Sequence, residues 1–198
     1  ELGMYDRALQ LNTKAQHYTL LKDSFGLGDL YRYRAAIFGQ TGIKDSIFYY
    51  LNQAEKISAL QGSFKGVFVN KVTTVEAYLD YTDSVQKALT LALSICPDSS
   101  RMPQWAKYEL ELHLGRALLQ TGKATQGIPL IEKAAQDFIS MDMRSGKQKA
   151  NNILMDYYLS MNINDAFVRC YKLSQTFTDS LNLAEKMRAV AAANIRFD

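Results

Sequence analysis

The residues best suited to catalysis or metal binding in this sequence are few, and they lie far apart along the chain. The two histidines, His17 and His113, have no neighbouring carboxylate or cysteine at a spacing typical of metal ligands. The two cysteines, Cys96 and Cys170, form no CxxC motif, so neither a disulfide framework nor a zinc site is indicated. We therefore expect the two histidines to serve in packing or on the surface, and we predict no metal site.

Three further patterns resemble parts of catalytic motifs but lack the context that those motifs require. Gly26-Leu27-Gly28 is a fragment of a phosphate-binding loop, yet no strand precedes it and no third glycine or lysine follows it. Gly62-Ser63 has neither the spacing nor the strand of a nucleophile elbow. Acidic residues are scattered, without the paired carboxylates of general acid–base catalysis. The sequence therefore predicts neither a catalytic residue nor a cofactor.

The composition of the 198 residues is that of an ordinary folded protein. Hydrophobic residues make up 47% and charged residues 22%, which excludes disorder and a collagen-like fibre. The formal net charge is only +3 and the basic residues are not clustered, so direct nucleic-acid binding is not expected. The longest uncharged run, 88–97, is shorter than the roughly 18 apolar residues of a membrane span. Because the chain starts at Glu1 rather than methionine, we expect it to be a piece of a longer protein.

Small and large apolar residues recur in a helical frame along the chain. The clearest unit places them on both sides of a glycine turn, at Leu114, Gly115, Leu118, Gly122, Gly127, Ile131 and Ala134. The same frame recurs at Ala35, Phe38, Gly42, Ile47, Leu51 and Ala54. The anchor positions Ala15, Ala54, Ala92, Ala134 and Leu173 follow one another at intervals of 39, 38, 42 and 39 residues. Spacing this regular indicates a repeat protein.

The frame resembles the tetratricopeptide repeat, a helix–turn–helix unit. The resemblance rests on the small residues on either side of the turn, the turn glycine, the late alanine, and the closing spacing from Ala92 to Pro97. It implies an all-α fold, a right-handed α-α solenoid of about five helix pairs that forms a single domain over residues 1–198. The family's early tryptophan is absent, and the long period predicts longer helices or connections than is usual.

Apolar periodicity and helix-end signals divide the chain into helices. We predict them at about 3–22, 28–40, 44–60, 64–81, 83–96, 102–121, 124–140, 146–161, 163–177 and 179–196. Residues 96–103, which contain two prolines, are predicted to be a loop. Pro129 lacks a backbone donor, so we expect it to kink its helix or to delay the start of that helix. Gly42 and Gly122 are expected to lie in tight turns between antiparallel helices.

In tetratricopeptide arrays, a concave groove lined by the first helix of each pair binds the ligand. Carried over residue by residue, the resemblance places these positions on that face: Arg32, Ala36, Asn70, Thr74, Leu112, Arg116, Asn151, Met155 and Tyr158. We expect Arg32, Asn70, Arg116 and Asn151 to have solvent-accessible polar ends that suit an acidic or backbone-rich ligand, because guanidinium and amide groups donate to oxygen. The family's carboxylate clamp for chaperone tails is not matched. In the alternative interpretation these residues serve solubility, and recognition uses tyrosine-rich helix edges.

The end of the chain carries a second resemblance. Tyr171-Lys172-Leu173-Ser174, followed by Thr178-Asp179-Ser180-Leu181 and a helix rich in alanine, lysine and arginine, is similar to the final segment of bacterial regulators. In those proteins a repeat array precedes a membrane span, a coiled coil and a kinase or DNA-binding module. The resemblance implies a non-enzymatic sensory module of a signalling or transcriptional regulator, which binds a protein, a peptide or a small ligand. It favours the periplasmic side of a membrane, with the cytoplasm as the alternative. The alternative function is a structural scaffold for complex assembly without ligand-driven signalling.

Overall fold

The computed structural model describes residues 2–22 and 26–174, and these residues form helices joined by short turns. No strand occurs among them, so the predicted all-α class is confirmed for this part of the chain. The helices are Leu2–Lys22 (α1), Leu27–Thr41 (α2), Lys44–Leu60 (α3), Phe64–Tyr81 (α4), Val85–Ile95 (α5), Gln104–Gln120 (α6), Ala124–Ser140 (α7), Arg144–Ser160 (α8) and residues 164–174 (α9).

The observed boundaries of α1 to α8 lie within two residues of the predicted ones. The predicted helix at 179–196 lies outside the described residues. The segment predicted as a loop, 96–103, contains a 3-10 helix at Cys96–Arg101, so the loop prediction was wrong there. The physical reason is that Pro97 occupies the first turn of this helix, where its fixed φ suits a helical start and no backbone donor is needed.

Pro129 does not delay the start of its helix. The helix α7 begins at Ala124 and continues through the proline to Ser140, so the expectation of a later start was wrong. Ile131, Ala134 and Phe138 follow on the same helix and are fully buried. Pro129 has no backbone N–H and so cannot make the usual hydrogen bond to the preceding turn. The packing of the buried residues that follow it stabilises the rest of the helix.

The chain divides into two compact units, residues 1–127 and residues 128–198. In the first unit, each helix from α1 to α6 packs against the next, and α4 also packs against both α2 and α6. Contact between alternate helices is typical of stacked helix pairs. In the second unit, α8 contacts both α7 and α9. A right-handed solenoid that forms one domain over the whole chain remains a prediction.

The helices reverse direction through one recurring backbone motif. A residue with positive φ donates its amide to the carbonyl three residues earlier, and the next residue donates to the carbonyl five residues earlier. This motif occurs at Gly42, Gly62, Gly122, Asp142 and Asn162, where φ lies between 53° and 78°. The predicted tight turns at Gly42 and Gly122 are therefore confirmed. The turns at Asp142 and Asn162 were not predicted, although Asp and Asn tolerate the left-handed region better than other residues with side chains.

Small residues allow neighbouring helices to approach closely. Ala54, Ala92 and Ala134, three anchor positions of the repeat frame, are fully buried. A methyl group added at Gly127 would lie 2.6 Å from the carbonyl oxygen of Gly115, so the backbones of α6 and the start of α7 are almost in contact. These positions are small because a larger side chain would force the helices apart.

The left-handed turn at Gly122 generates a stability prediction. Gly122→Val should lower the free energy of unfolding by about 1–3 kcal/mol, because a β-branched residue is strained at positive φ. A methyl group added at this position would have no other group within 4 Å. The loss of stability would therefore come from the backbone conformation and not from a steric clash. The measurement is denaturant-induced unfolding followed by circular dichroism.

Gly122→Asn is the matched variant, because asparagine already occupies the same turn at position 162. It should lose clearly less stability than Gly122→Val. Equal losses for the two variants would contradict the left-handed turn.

Candidate functional site

Asn70, one of the predicted groove residues, lies in the interior of the first unit. It is only 2% exposed, and its Nδ2 donates to Ser58 Oγ at 3.0 Å. Gly66, one turn earlier on α4, permits this approach, since a methyl group there would lie 2.6 Å from the same hydroxyl oxygen. The expected solvent-accessible polar end is therefore wrong for Asn70, whose amide links α4 to α3.

The two arginines of the predicted groove, Arg32 and Arg116, are partly exposed and already engaged within the fold. Arg116 donates to the Asp80 carboxylate, which connects α6 to the end of α4. Arg32 donates to Asp29 at 2.9 Å on its own helix. A ligand that bound either guanidinium would have to share it with one of these carboxylates, which weakens the case for a ligand site at these two residues.

The remaining first-unit positions of the predicted groove differ in exposure. Ala36 is exposed, whereas Leu112 is fully buried. Thr74 is half-buried, and its hydroxyl donates to the Asn70 carbonyl oxygen at 2.9 Å. The predicted groove residues of this unit are therefore not equivalent. Some lie in the core or bond within their own helix, and others are partly exposed cations.

In the second unit, α8 carries Asn151, Met155 and Tyr158. Asn151 is 7% exposed, and its Nδ2 donates to the Cys170 carbonyl oxygen at 2.7 Å, so its expected accessible end is also wrong. Met155 and Tyr158 are half-buried. The structure brings Asn151 and Tyr158 together at the cavity that is described below.

Buried asparagines recur as links between neighbouring helices. On α1, Asn12 donates to the Leu30 carbonyl oxygen at 2.9 Å, and its Oδ1 accepts a hydrogen bond from Arg34 Nε at 2.9 Å. Asn70 and Asn151 make comparable links from α4 and α8. A buried amide that finds its partner avoids the desolvation penalty and selects one register between two helices. The sequence pattern marks these positions as polar but does not distinguish a buried link from a ligand contact.

His113 lies within a charged cluster of the first unit, which corrects the expectation that it has no carboxylate neighbour. The residue is fully buried, and its Nε2 lies 3.4 Å from Glu109 Oε2 and 3.8 Å from Glu76 Oε2. Glu109 precedes His113 by four residues and so shares its helix face. These contacts bring side chains of α6 and α4 together. Among residues 2–22 and 26–174, no group of three or more His, Cys, Asp or Glu side chains is arranged to hold a metal ion.

An open cavity of about 700 Å³ lies among α7, α8 and α9 in the second unit, and we call it the α7–α9 cavity. All three helices contribute to its lining, and α7 supplies the largest share. Much of the surface is alkyl, from Ala135, Ile139, Leu154, Ala166 and Leu173. A volume of this size lies in the ordinary range of about 300–1,000 Å³ for small-molecule sites.

Two contacts hold the walls of the α7–α9 cavity in place. At Gly146, an added methyl group would lie 2.6 Å from the ring of Phe138, so α8 crosses α7 closely at one end. The hydrogen bond from Asn151 to the Cys170 carbonyl oxygen holds α9 against α8. Between these contacts, the small side chains of Ala135 and Ala166 leave part of the space among the three helices unfilled.

Charged side chains of both signs also line the α7–α9 cavity. The cations are Lys133, Lys147 and Arg169, and the carboxylate is Glu132. Lys133 forms an ion pair with Asp137 at 3.3 Å on its own helix. Within the described residues, Arg169 forms no ion pair. The lining therefore combines alkyl side chains with a cationic group to which a ligand could bind.

The environment of the α7–α9 cavity shifts two ionisable groups. Burial raises the pKa of the Tyr158 hydroxyl; the Glu132 carboxylate raises it further, and the Arg169 guanidinium lowers it. Burial also raises the pKa of the Cys170 thiol, and Arg169 opposes that shift. At neutral pH, Tyr158 is therefore a hydrogen-bond donor and Cys170 is a thiol rather than a thiolate.

Comparison with known proteins assigns this chain to no family. No protein-family model and no curated protein matches the sequence. Within the described residues, no helix is both long enough and apolar enough to cross a membrane. The tetratricopeptide resemblance therefore stays a prediction, and the function rests on the chemistry of the α7–α9 cavity.

The buried link at Asn151 generates a second prediction. Asn151→Ala should lower the free energy of unfolding by about 1–3 kcal/mol, because it removes the buried hydrogen bond from the side chain to the Cys170 carbonyl oxygen. Asn152→Ala is the control, since Asn152 is the exposed neighbour and surface changes fall within about 0.5 kcal/mol. Denaturant-induced unfolding measures both variants. If they lose the same stability, the link from α8 to α9 does not exist in solution.

Proposed function

We propose that this chain is a non-enzymatic binding module and that its ligand occupies the α7–α9 cavity. The observation that carries the proposal is the lining of this cavity, about 700 Å³ in volume, which combines alkyl side chains with the cation Arg169. Ligand sites in proteins are typically concave and apolar, with a small number of polar groups that fix the orientation of the ligand.

The chemistry of the lining favours binding over catalysis. Among the described residues that line the cavity, none is a histidine, and the one thiol, that of Cys170, has a raised pKa. A nucleophilic cysteine needs the opposite shift together with an adjacent base. The groups around the cavity are thus suited to holding a ligand rather than to transforming it.

The cavity also suggests how binding could be signalled. The helix α9 supplies Ala166, Arg169 and Cys170 to the lining, so an occupant would contact the last described helix directly. In a bacterial regulator of the type that the sequence resembles, occupancy would change the position or rigidity of this helix. We therefore extend the proposal to a sensory module, in which ligand binding biases the helix that leads toward the end of the chain.

A fragment screen tests whether the cavity binds ligands at all. Ligand-observed NMR with a library of small apolar and charged compounds should find binders to the wild-type protein. Ala135→Phe, which adds bulk inside the cavity, should abolish most of these interactions. Ala59→Phe is the matched control, because Ala59 is exposed at the end of α3 in the other unit. If no fragment binds, or if the two variants lose the same fragments, the proposal fails.

The two cysteines provide an independent readout. Alkylation of Cys170 should be slow at neutral pH because its raised pKa leaves little thiolate, and a cavity-bound fragment should slow it further. Cys96, whose pKa burial and Glu111 also raise, lies in the first unit and does not line the cavity. Mass spectrometry of alkylated peptides compares the two sites. Equal protection of both cysteines would place the fragment elsewhere.

A further inference from the structure

We propose that the ligand of the α7–α9 cavity is a small amphiphilic monocarboxylate, a molecule with an apolar body and a single carboxylate group. This inference rests on the proposed function and adds the chemical class of the ligand. It follows from the distribution of alkyl and charged groups along α7, α8 and α9, and each part of the ligand is matched by a separate group of residues.

The apolar body is matched by the alkyl side chains of the lining. The buried Leu154 of α8 lines the cavity together with Ala135 of α7 and Ala166 of α9. Along α8, the lining runs from Lys147 to Tyr158, a distance of about 16 Å at 1.5 Å per residue. A linear or aromatic hydrocarbon body would therefore be covered along most of its length, and its removal from water would supply most of the affinity.

The carboxylate is matched by Arg169 and Tyr158. Arg169 and Tyr158 line the same cavity from α9 and α8, and the positive charge of the exposed Arg169 side chain lowers the pKa of the Tyr158 hydroxyl. Arg169 has no ion pair with any described residue, and a ligand carboxylate would supply one. The protonated Tyr158 hydroxyl can donate a second hydrogen bond to the same carboxylate. Hydrogen bonds to an ionised carboxylate are short and strong.

Glu132 limits the charge of the ligand. It lines the same cavity as Tyr158 and Arg169, and its carboxylate raises the pKa of the Tyr158 hydroxyl. A like charge in the same lining would weaken the binding of any anion and would oppose a second negative charge most strongly. We therefore expect a monocarboxylate rather than a dicarboxylate or a phosphate.

A peptide fits this lining less well than a small amphiphile. Each residue of a bound peptide brings a backbone donor and acceptor that need partners once they leave water. The lining is rich in alkyl groups, and the amide Nδ2 of Asn151 already donates to the Cys170 carbonyl oxygen. A hydrocarbon body makes no such demand, so the lining favours an amphiphile with one polar end.

The test is a titration with decanoate below its micelle concentration, followed by calorimetry, with decanamide as the uncharged analogue. Decanoate should bind the wild-type protein about tenfold more tightly than decanamide, because only the carboxylate can pair with Arg169. Arg169→Gln should remove that difference, and Glu132→Gln should strengthen decanoate binding. Arg144→Gln is the matched control, since Arg144 is exposed, does not line the cavity, and its replacement removes the same charge.

Each contrary result has a distinct meaning. Equal affinity for decanoate and decanamide would overturn the monocarboxylate and leave a purely apolar site, in which case the proposed function stands. Displacement of decanoate by a short acidic peptide at lower concentration would overturn the small amphiphile in favour of a peptide. Binding to anionic phospholipid vesicles without binding to free decanoate would indicate a lipid surface instead. Failure of every fragment and both decanoyl compounds to bind would overturn the proposed function as well.

Discussion

Close helix contact at positions with little or no side chain is the constraint on which the rest of this structure depends. Gly66 allows α4 to reach Ser58 of α3, and Gly146 allows α8 to reach the ring of Phe138 on α7. The buried alanines of the repeat frame have the same role. Interiors are packed like crystals, so a larger residue at any of these places would shift a whole helix. Because the contacts hold the helices at fixed points, the space between those points is also fixed, and the α7–α9 cavity is one such space.

Hydrogen bonds and ion pairs between polar side chains also fix the positions of neighbouring helices. Asn70 and Asn151 each join two helices through a buried hydrogen bond, and Arg116 pairs with Asp80 to connect α6 with α4. A helix pair that is held only by alkyl contact can slide, whereas an amide that must find one particular partner selects a single register. His113 lies close to Glu76 and Glu109 at the same α4–α6 contact, so ionisable side chains as well as alkyl groups join these two helices.

The helices could be predicted from the sequence because their signals are local. Apolar periodicity and turn residues such as Gly42 and Gly122 placed α1 to α8 to within two residues. The burial of Asn70 and Asn151 could not be predicted. The sequence pattern around a polar residue on a helix face is the same whether its side chain contacts water or a neighbouring helix. The contact of His113 with Glu76 joins two helices and is not a local signal, although the spacing from Glu109 was visible. The α7–α9 cavity depends on three helices at once, and only Asn151 and Tyr158 of its lining belonged to the predicted site.

The central claim is that the α7–α9 cavity is the ligand site and that its occupant acts on α9. Hydrogen–deuterium exchange of the full chain, with and without decanoate, tests this claim most directly, because it reports each helix separately. An occupant that contacts α7, α8 and α9 should slow amide exchange in these helices and leave α2 to α5 unchanged. Slowed exchange in α7 to α9 alone is the predicted result. Unchanged exchange throughout, or protection centred on α2 to α5, would contradict it.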